Sequence, residues 1–222
     1  MSKIEFEPTN NKVGCFIYTD LKNVKKEQIN EIKDLLNKYG VLFFKNQSLN
    51  PKQYVNFSSN FGIPAKYPML KPHKDFKDIY VIERKKTDTG KSFGEGPHTD
   101  SSYLENPPRF TFLQAIDVPE EGKGNTLFYN QFLAYEALPK DIKQKIKNLK
   151  GVFSSQGKIA QTRELRMADH GTSGTKEIKS EHSLVQSING RKTIYCSPGH
   201  VVGIANLSTD QEELINFLSS HQ

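Results

Sequence analysis

The sequence has few cysteines, no tryptophan and no long apolar run. Among its 222 residues, Cys15 and Cys196 are the cysteines, and two cysteines cannot make a disulfide framework. We expect both to be reduced thiols of a cytoplasmic protein. No apolar run approaches the roughly 20 residues that span a bilayer, and the N-terminal residues lack the apolar segment of a signal peptide. We therefore predict no membrane partner.

Composition and charge indicate a globular protein. Hydrophobic residues make up 35% of the chain and charged residues 25%, a balance unlike that of a disordered protein. The length allows one domain with its own core, and neither repeats nor an obvious linker divides it. The formal net charge is +6, but the lysines are scattered and no basic stripe contains interleaved aromatics. We therefore expect no nucleic-acid partner, although a positive surface favours the approach of an anionic substrate.

Hydrophobic spacing and capping residues predict strands alternating with helices. Helices are predicted over 26–39, ended by Gly40, over 51–60 after an Asn50 cap, and over 130–138, 139–147 and 209–220, the last after a Ser208 cap. Strands are predicted over 14–18, 41–44, 79–82 and 110–118, with a hairpin of 183–187 and 193–196 around Asn189-Gly190. Residues 157–181 are polar and predict a surface excursion or lid. This alternation leaves a doubly wound α/β sheet open as a fold.

The segment with the most chemical content is His98-Thr99-Asp100. Residues two apart in extended backbone point to the same side, so one imidazole nitrogen and one carboxylate oxygen can share a metal ion. This is the local half of the 2-His-1-carboxylate arrangement, which holds Fe(II) and leaves positions open for a co-substrate and O2. The spacing alone fits equally a surface His and Asp beside a turn. The flanking residues decide between these interpretations.

The flanks of this tripeptide supply several further elements in a fixed order. Pro107-Pro108 follows, then Gly124-Asn125-Thr126-Leu127-Phe128, and then the Ala-Tyr-Glu-Ala-Leu run of 134–138. Together these elements resemble the core of the taurine dioxygenase and 2,4-dichlorophenoxyacetate dioxygenase family, the TauD/TfdA-like Fe(II)/2-oxoglutarate enzymes. Residues 182–185 and 190–195 resemble later segments of the same family, so the resemblance covers in effect the whole chain.

The resemblance implies an α+β fold: a double-stranded β-helix, or jelly roll, with flanking helices. It also implies a single domain over residues 1–222, which we expect to be C-terminally incomplete and to lack its last strands. His98 and Asp100 would be the metal ligands and catalytic residues, with Fe(II) as cofactor. The hydroxyl of Thr126 would bind the far carboxylate of the co-substrate 2-oxoglutarate. Substrate contacts in the family come from two loops, which here contain Lys66, Tyr67 and Gly94.

Two further family residues, a distal His and a carboxylate-binding Arg, follow the last helix in the resemblance. We expect neither within these 222 residues. The remaining histidines are expected to be surface or core residues rather than replacement ligands; they are His73, His170, His182, His200 and His221.

The function implied by the resemblance is Fe(II)- and 2-oxoglutarate-dependent hydroxylation of a small, anionic organic substrate. The partners are then that substrate and O2, and the by-products are succinate and CO2. The alternative is a catalytically inactive, truncated jelly-roll remnant that acts as a binding or subunit-interaction module, because open sheet edges favour association. A cupin-like isomerase or metal-storage protein has little support, since cupins use more histidines. A homo-oligomer is left open.

Overall fold

A computed structural model of the protein describes residues 4–11 and 13–222. The chain divides into two units: Met1–Pro64 with Phe110–Asn130, and Ala65–Arg109 with Gln131–Gln222. Each unit therefore consists of two stretches of chain. Within the described residues, no helix is both long enough and apolar enough to cross a membrane.

The first unit is built on a three-stranded sheet with one long helix. Strand β1 (Glu5–Pro8) pairs antiparallel with β2 (Cys15–Tyr18), and β2 pairs parallel with β3 (Leu42–Phe44). Parallel neighbours need a crossover, and helix α1 (Lys26–Tyr39) supplies it. As its spacing predicts, α1 buries one apolar face, with Ile29, Ile32 and Leu35. Gly40, at φ 79°, ends the helix, because a left-handed backbone is easiest for glycine.

A second helix, α2 (Pro51–Ser58), continues as a 3-10 turn over Ser59–Phe61. Asn50 caps it: the Asn50 side chain accepts from Gln53 N, and the Gln53 side chain accepts from Asn50 N, both at 2.9 Å. This reciprocal capping satisfies two backbone donors. Phe57 is buried, and its ring lies edge-on to those of Phe61 and Phe112. The predicted second helix is thereby confirmed.

The predicted strands over 79–82 and 110–118 are wrong. Around Ile79 the backbone closes local turns instead, with His73 N donating to Ile79 O at 2.7 Å and Ile79 N to Phe76 O at 3.1 Å. In the segment 110–118, the backbone carbonyl of Phe112 accepts a hydrogen bond from a side chain, Tyr54 Oη, at 2.7 Å. Apolar alternation is thus present, but no described strand pairs with either segment.

The second unit contains a sheet of order β5-β4-β8 and a separate hairpin. Strand β4 (Lys150–Ser154) lies between β5 (Lys179–Ser183) and β8 (Val201–Ile204), antiparallel to both. The hairpin pairs β6 (Val185–Ile188) with β7 (Arg191–Ile194). Its turn has positive φ at both Asn189 (50°) and Gly190 (78°), as the sequence predicts for this tight turn.

The second unit also contains four helices: α3 (Gln131–Ala137), α4 (Lys140–Ile146), α5 (Glu164–His170) and α6 (Gln211–His221). A 3-10 helix, Lys158–Thr162, precedes α5. The core of the second unit is a cluster that includes Tyr103, Ile146, Phe153, Leu184 and Leu218. Helix α6 starts two residues later than predicted, because Asp210 rather than Ser208 is its N-cap.

The prediction of a surface excursion over 157–181 is also wrong. Although this segment is polar in composition, five of its side chains are buried: Ile159, Thr162, Arg163, Arg166 and Met167. Polar residues can lie inside when hydrogen bonds or ion pairs satisfy them. Cys15 and Cys196 are both free and buried.

Two neighbouring valines in β8 test how much the second core contributes to stability. Val201 is 5% exposed and Val202 is 49% exposed. We expect Val201→Ala to lower the free energy of unfolding by roughly 2 kcal/mol, because it removes buried apolar area and leaves a cavity. Val202→Ala should cost less than about 1 kcal/mol, with the same loss of strand propensity. Urea denaturation of both variants measures the difference, and equal losses would contradict the assigned inward face.

Candidate functional site

His98 and Asp100 lie side by side in the second unit. His98 Nδ1 is 2.8 Å from Gly96 O, and His98 Nε2 is 3.1 Å from Asp100 Oδ1. Because a carbonyl can only accept, Nδ1 carries a proton and Nε2 faces the carboxylate. The hydrogen bond to the Asp100 carboxylate raises the pKa of His98, while burial acts in the opposite direction. The sequence spacing therefore does bring one imidazole nitrogen and one carboxylate oxygen to the same point.

These two groups fit two of the three protein positions of a 2-His-1-carboxylate site. An imidazole with Nδ1 bonded to a backbone carbonyl presents Nε2 in the form that binds a metal ion. Among the residues that the structure describes, no group of three or more His, Cys, Asp or Glu side chains is arranged to hold a metal. The third ligand that the resemblance implies is thus not found among these residues.

Two glycines allow three backbone segments to pack together behind His98. A Cβ on Gly199 would lie 2.9 Å from His98 Cβ and 3.2 Å from Pro97 O. A Cβ on Gly157 would lie 2.5 Å from Gly199 O and 2.8 Å from His200 Cα. Carbon atoms do not approach this closely, so each position requires glycine.

Hydrogen bonds fix the same region. Thr99 N, between the two candidate ligands, donates to Ser197 Oγ at 2.9 Å. Ile159 N donates to Gly199 O at 3.0 Å. Gly94 N donates to Thr162 Oγ1 at 3.1 Å. The 3-10 helix and the turn before β8 therefore position the loop that contains His98.

Two of the three predicted substrate residues lie near this pair. Gly94 has φ 73°, and a Cβ there would lie 3.4 Å from His98 Cε1. The Tyr67 ring packs edge-on against those of Tyr80 and Phe93, at 5.9 and 6.4 Å between centroids. Burial raises the pKa of Tyr67. The side chain of Lys66 is exposed.

Thr126 is exposed and belongs to the first unit, whereas His98 and Asp100 belong to the second. The structure therefore does not bring Thr126 and the two candidate ligands into one unit. The role of Thr126 in binding 2-oxoglutarate stays a prediction.

His200 is a buried neighbour of His98, a position that the sequence does not reveal. It is 3% exposed, and its ring lies 6.2 Å from that of His98 and 5.0 Å from that of Tyr103. Burial lowers its pKa to about 4, so the ring is neutral at neutral pH. Its Nδ1 is buried and has no hydrogen-bond partner among the described residues. Its sequence context, Pro198-Gly199-His200, indicates only a turn.

The sequence also does not predict that two arginines are buried. Arg163 and Arg166 are 4% and 6% exposed. Arg166 pairs with Asp88 and, at 2.6 Å, with Asp169. Since Asp88 lies in the loop that leads to His98, this ion pair anchors that loop to α5. No periodicity or motif marks these arginines, because charged residues are rarely buried.

Substituting Gly199 tests the close packing behind His98. We expect Gly199→Ala to lower the free energy of unfolding by about 1–3 kcal/mol, because the new methyl group must displace His98 or Ile159. The NMR signals of the His98 ring should shift with it. Gly203→Ala is the matched control, since its Cβ would meet only the flexible end of Gln211, at 3.3 Å. Equal effects of the two substitutions would contradict the packing described here.

Substituting Arg166 tests the buried ion pair. Arg166→Gln leaves the Asp88 carboxylate, 9% exposed, without its charged partner, and should lower the free energy of unfolding by about 3–5 kcal/mol. Arg191→Gln, which breaks an exposed pair with Glu136, should cost less than about 1 kcal/mol. Adding Asp88→Asn to Arg166→Gln should recover part of the loss. If the losses of unfolding free energy from the two substitutions simply add in the double variant, Arg166 and Asp88 do not form a stabilising ion pair.

Comparison with known proteins gives a consistent result. The model of the taurine catabolism dioxygenase TauD, TfdA family matches residues 5–222. Pentalenolactone F synthase of Streptomyces avermitilis is 25% identical over 212 residues, which are 86% of this chain and 69% of the synthase. The alpha-ketoglutarate-dependent sulfonate dioxygenase of Saccharomyces cerevisiae is 26% identical over 90% of this chain, which spans half (50%) of that protein.

Solved structures show the fold. A taurine dioxygenase from Burkholderia xenovorans superposes with a TM-score of 0.73 at 24% identity, covering 98% of this chain and 73% of that one. AAD-2, solved with Mn(II) and N-oxalylglycine, gives a TM-score of 0.71 at 22% identity, covering 99% of this chain and 79% of that one. The fold is thus that of the TauD-like dioxygenases, a jelly roll with helices. With the family model matching nearly all of its length, the chain belongs to the TauD/TfdA family of Fe(II)- and 2-oxoglutarate-dependent dioxygenases.

Proposed function

We propose that this protein uses Fe(II), 2-oxoglutarate and O2 to hydroxylate a small, anionic organic substrate. The observation that carries the proposal is the pairing of His98 Nε2 with Asp100 Oδ1 at 3.1 Å, inside the segment that matches the family. Relatives named for sulfonate, alkylsulfate and 2,4-dichlorophenoxyacetate chemistry support an anionic substrate. The residues that contact it are proposed to be Lys66, Tyr67 and Gly94.

His98 and Asp100 would hold the iron, and Thr126 would contact 2-oxoglutarate. When bound, iron and 2-oxoglutarate supply an oxidation that is coupled to decarboxylation of 2-oxoglutarate to succinate and CO2. The task of this chain is to orient two ligands and leave coordination positions open. The carbonyl of Gly96 holds the His98 ring, and Ser197 holds the backbone between the ligands. The buried ring of Tyr103 and the half-buried ring of Tyr67 help to exclude water.

We further propose that residues 1–222 act as one family domain in the cytoplasm. Because the chain spans only part of the length of its relatives, activity should be assayed on these residues and on any longer chain that the gene encodes. Metal binding should be measured separately from turnover, so that a missing third ligand is not mistaken for a wrong assignment of the first two.

The assay compares the chain with three variants. His98→Ala and Asp100→Ala should weaken Mn(II) binding, followed by calorimetry, by at least about a hundredfold, because each removes a direct ligand. Succinate formation from 2-oxoglutarate, screened with alkyl sulfonates, alkyl sulfates and aryloxyacetates, should fall as far. His73→Ala is the control, a histidine of the same unit outside the site. Unchanged metal binding in the His98 and Asp100 variants would refute the metal site.

A further inference from the structure

We propose that Arg163 binds an oxoanion group, such as a carboxylate, sulfonate or sulfate, of a small molecule held beside His98 and Asp100. The identity of that molecule rests on the proposed function, but the binding of an oxoanion does not. Two sources present the same chemistry: the far carboxylate of 2-oxoglutarate and the charged end of an anionic substrate. Arg163 would recognise the charged group itself, and titration with anions that carry or lack that group distinguishes the two sources.

The first observation is a buried charge without a counter-charge in contact. Arg163 is 4% exposed, and one of its terminal nitrogens donates to Ser155 O, a neutral carbonyl. Its Nε is buried without a hydrogen-bond partner, and no carboxylate of the described residues forms an ion pair with it. A guanidinium carries five N–H donors and cannot lose its charge at any ordinary pH. Leaving it in this condition costs stability.

The second observation is that another buried arginine in the same segment has carboxylate partners. Arg166, three residues further on and 6% exposed, is neutralised by the two carboxylates of Asp88 and Asp169. The fold can therefore surround a buried arginine with acids at this place. The fold supplies acids to Arg166 but not to Arg163. This difference indicates that the partner of Arg163 comes from outside the described residues.

The third observation is what lies around the guanidinium. It sits over the ring of Tyr103, with Cζ 5.9 Å from the centroid, a cation–π contact that holds its plane. Burial raises the pKa of the Tyr67 phenol, and the positive charge of Arg163 acts in the opposite direction. The phenol and the guanidinium are therefore neighbours. A phenol and a guanidinium side by side present several N–H and O–H donors to one oxoanion.

The fourth observation connects Arg163 with the metal pair. The Tyr103 ring under the guanidinium lies 5.0 Å from the His200 ring, and the His200 ring lies 6.2 Å from that of His98. Thr162, the preceding residue, accepts from Gly94 N, and Gly94 borders the His98 ring. All of these residues belong to the second unit. A molecule that reaches His98 and Asp100 is therefore within reach of an arginine fork, the geometry that matches carboxylate and sulfonate oxygens.

Stability without a ligand separates a binding role from a structural one. Arg163→Met removes an uncompensated buried charge, so the urea midpoint of the ligand-free chain should stay at the wild-type value or rise. Arg166→Met should lower the midpoint clearly, because it leaves two acids behind. If Arg163→Met lowers the midpoint as far as Arg166→Met does, Arg163 is a structural residue and the proposal is overturned.

Binding identifies the group. Calorimetric titrations with 2-oxoglutarate, 2-oxopentanoate and propane-1-sulfonate, each with Mn(II) present, compare wild type with Arg163→Gln, Arg163→Lys and the exposed control Arg191→Gln. If Arg163 holds the co-substrate, Arg163→Gln weakens 2-oxoglutarate about ten- to a hundredfold and leaves 2-oxopentanoate, which lacks the far carboxylate, unchanged. If it holds the substrate, the sulfonate weakens by that factor instead. Arg163→Lys should be intermediate, because an ammonium keeps the charge without the fork.

The remaining outcomes count against the proposal. Equal affinities of wild type and Arg163→Gln for all three anions overturn it, and so does a wild-type chain that binds none of them. Mn(II) titrated alone reports on the proposed function independently. If the wild-type chain binds the anions but not Mn(II), the metal site is refuted and Arg163 remains an oxoanion site. If the wild-type chain binds Mn(II) but none of the anions, only the role of Arg163 is refuted.

Discussion

The contact on which the site depends is the approach of three backbone segments at Gly157, Gly199 and His98. A single added carbon at either glycine would meet backbone or Cβ atoms at 2.5–2.9 Å. Interiors are too densely packed to absorb such a carbon without a shift. The turn before β8, the start of the 3-10 helix and the candidate metal loop therefore hold one another in place. The His98 ring is oriented by the backbone that supports it.

Around this contact, the segment from Lys158 to His170 anchors the loops of the site. Thr162 accepts from Gly94 N, Arg166 binds Asp88, and His170 Nδ1 accepts from Lys71 N at 3.1 Å. These partners lie in loops without regular structure, which have few backbone hydrogen bonds of their own. Side chains of one short helical segment thus supply the order that a sheet would otherwise give. This explains why a polar stretch is buried here.

The sequence predicts local structure well where one residue type decides it. Asn189-Gly190 requires positive φ at two positions, and Gly40 ends α1 at the predicted residue. It predicts that the His98 and Asp100 side chains meet, because residues two apart can point to the same side. It fails for 79–82 and 110–118, because apolar alternation says nothing about whether a partner strand exists. It misses Arg163, Arg166 and His200 because their burial depends on contacts distant in the sequence.

The second unit contains buried polar atoms with hydrogen-bond partners and others without any, and the second kind gather near His98. His182 Nε2 bonds Leu104 O at 2.9 Å, and Ser154 Oγ bonds Glu177 at 2.6 Å. The Arg163 guanidinium lies over the Tyr103 ring, and the His200 ring lies 5.0 Å from that of Tyr103 and 6.2 Å from that of His98. The buried side-chain atoms of the described part of this unit that lack a partner include atoms of all three of these neighbours; they are Ser102 Oγ, Tyr103 Oη, Gln131 Oε1, Arg163 Nε and His200 Nδ1. Buried groups that cost stability persist where function needs them. The same residues that weaken the ligand-free fold are therefore those with free hydrogen-bonding capacity for a bound molecule.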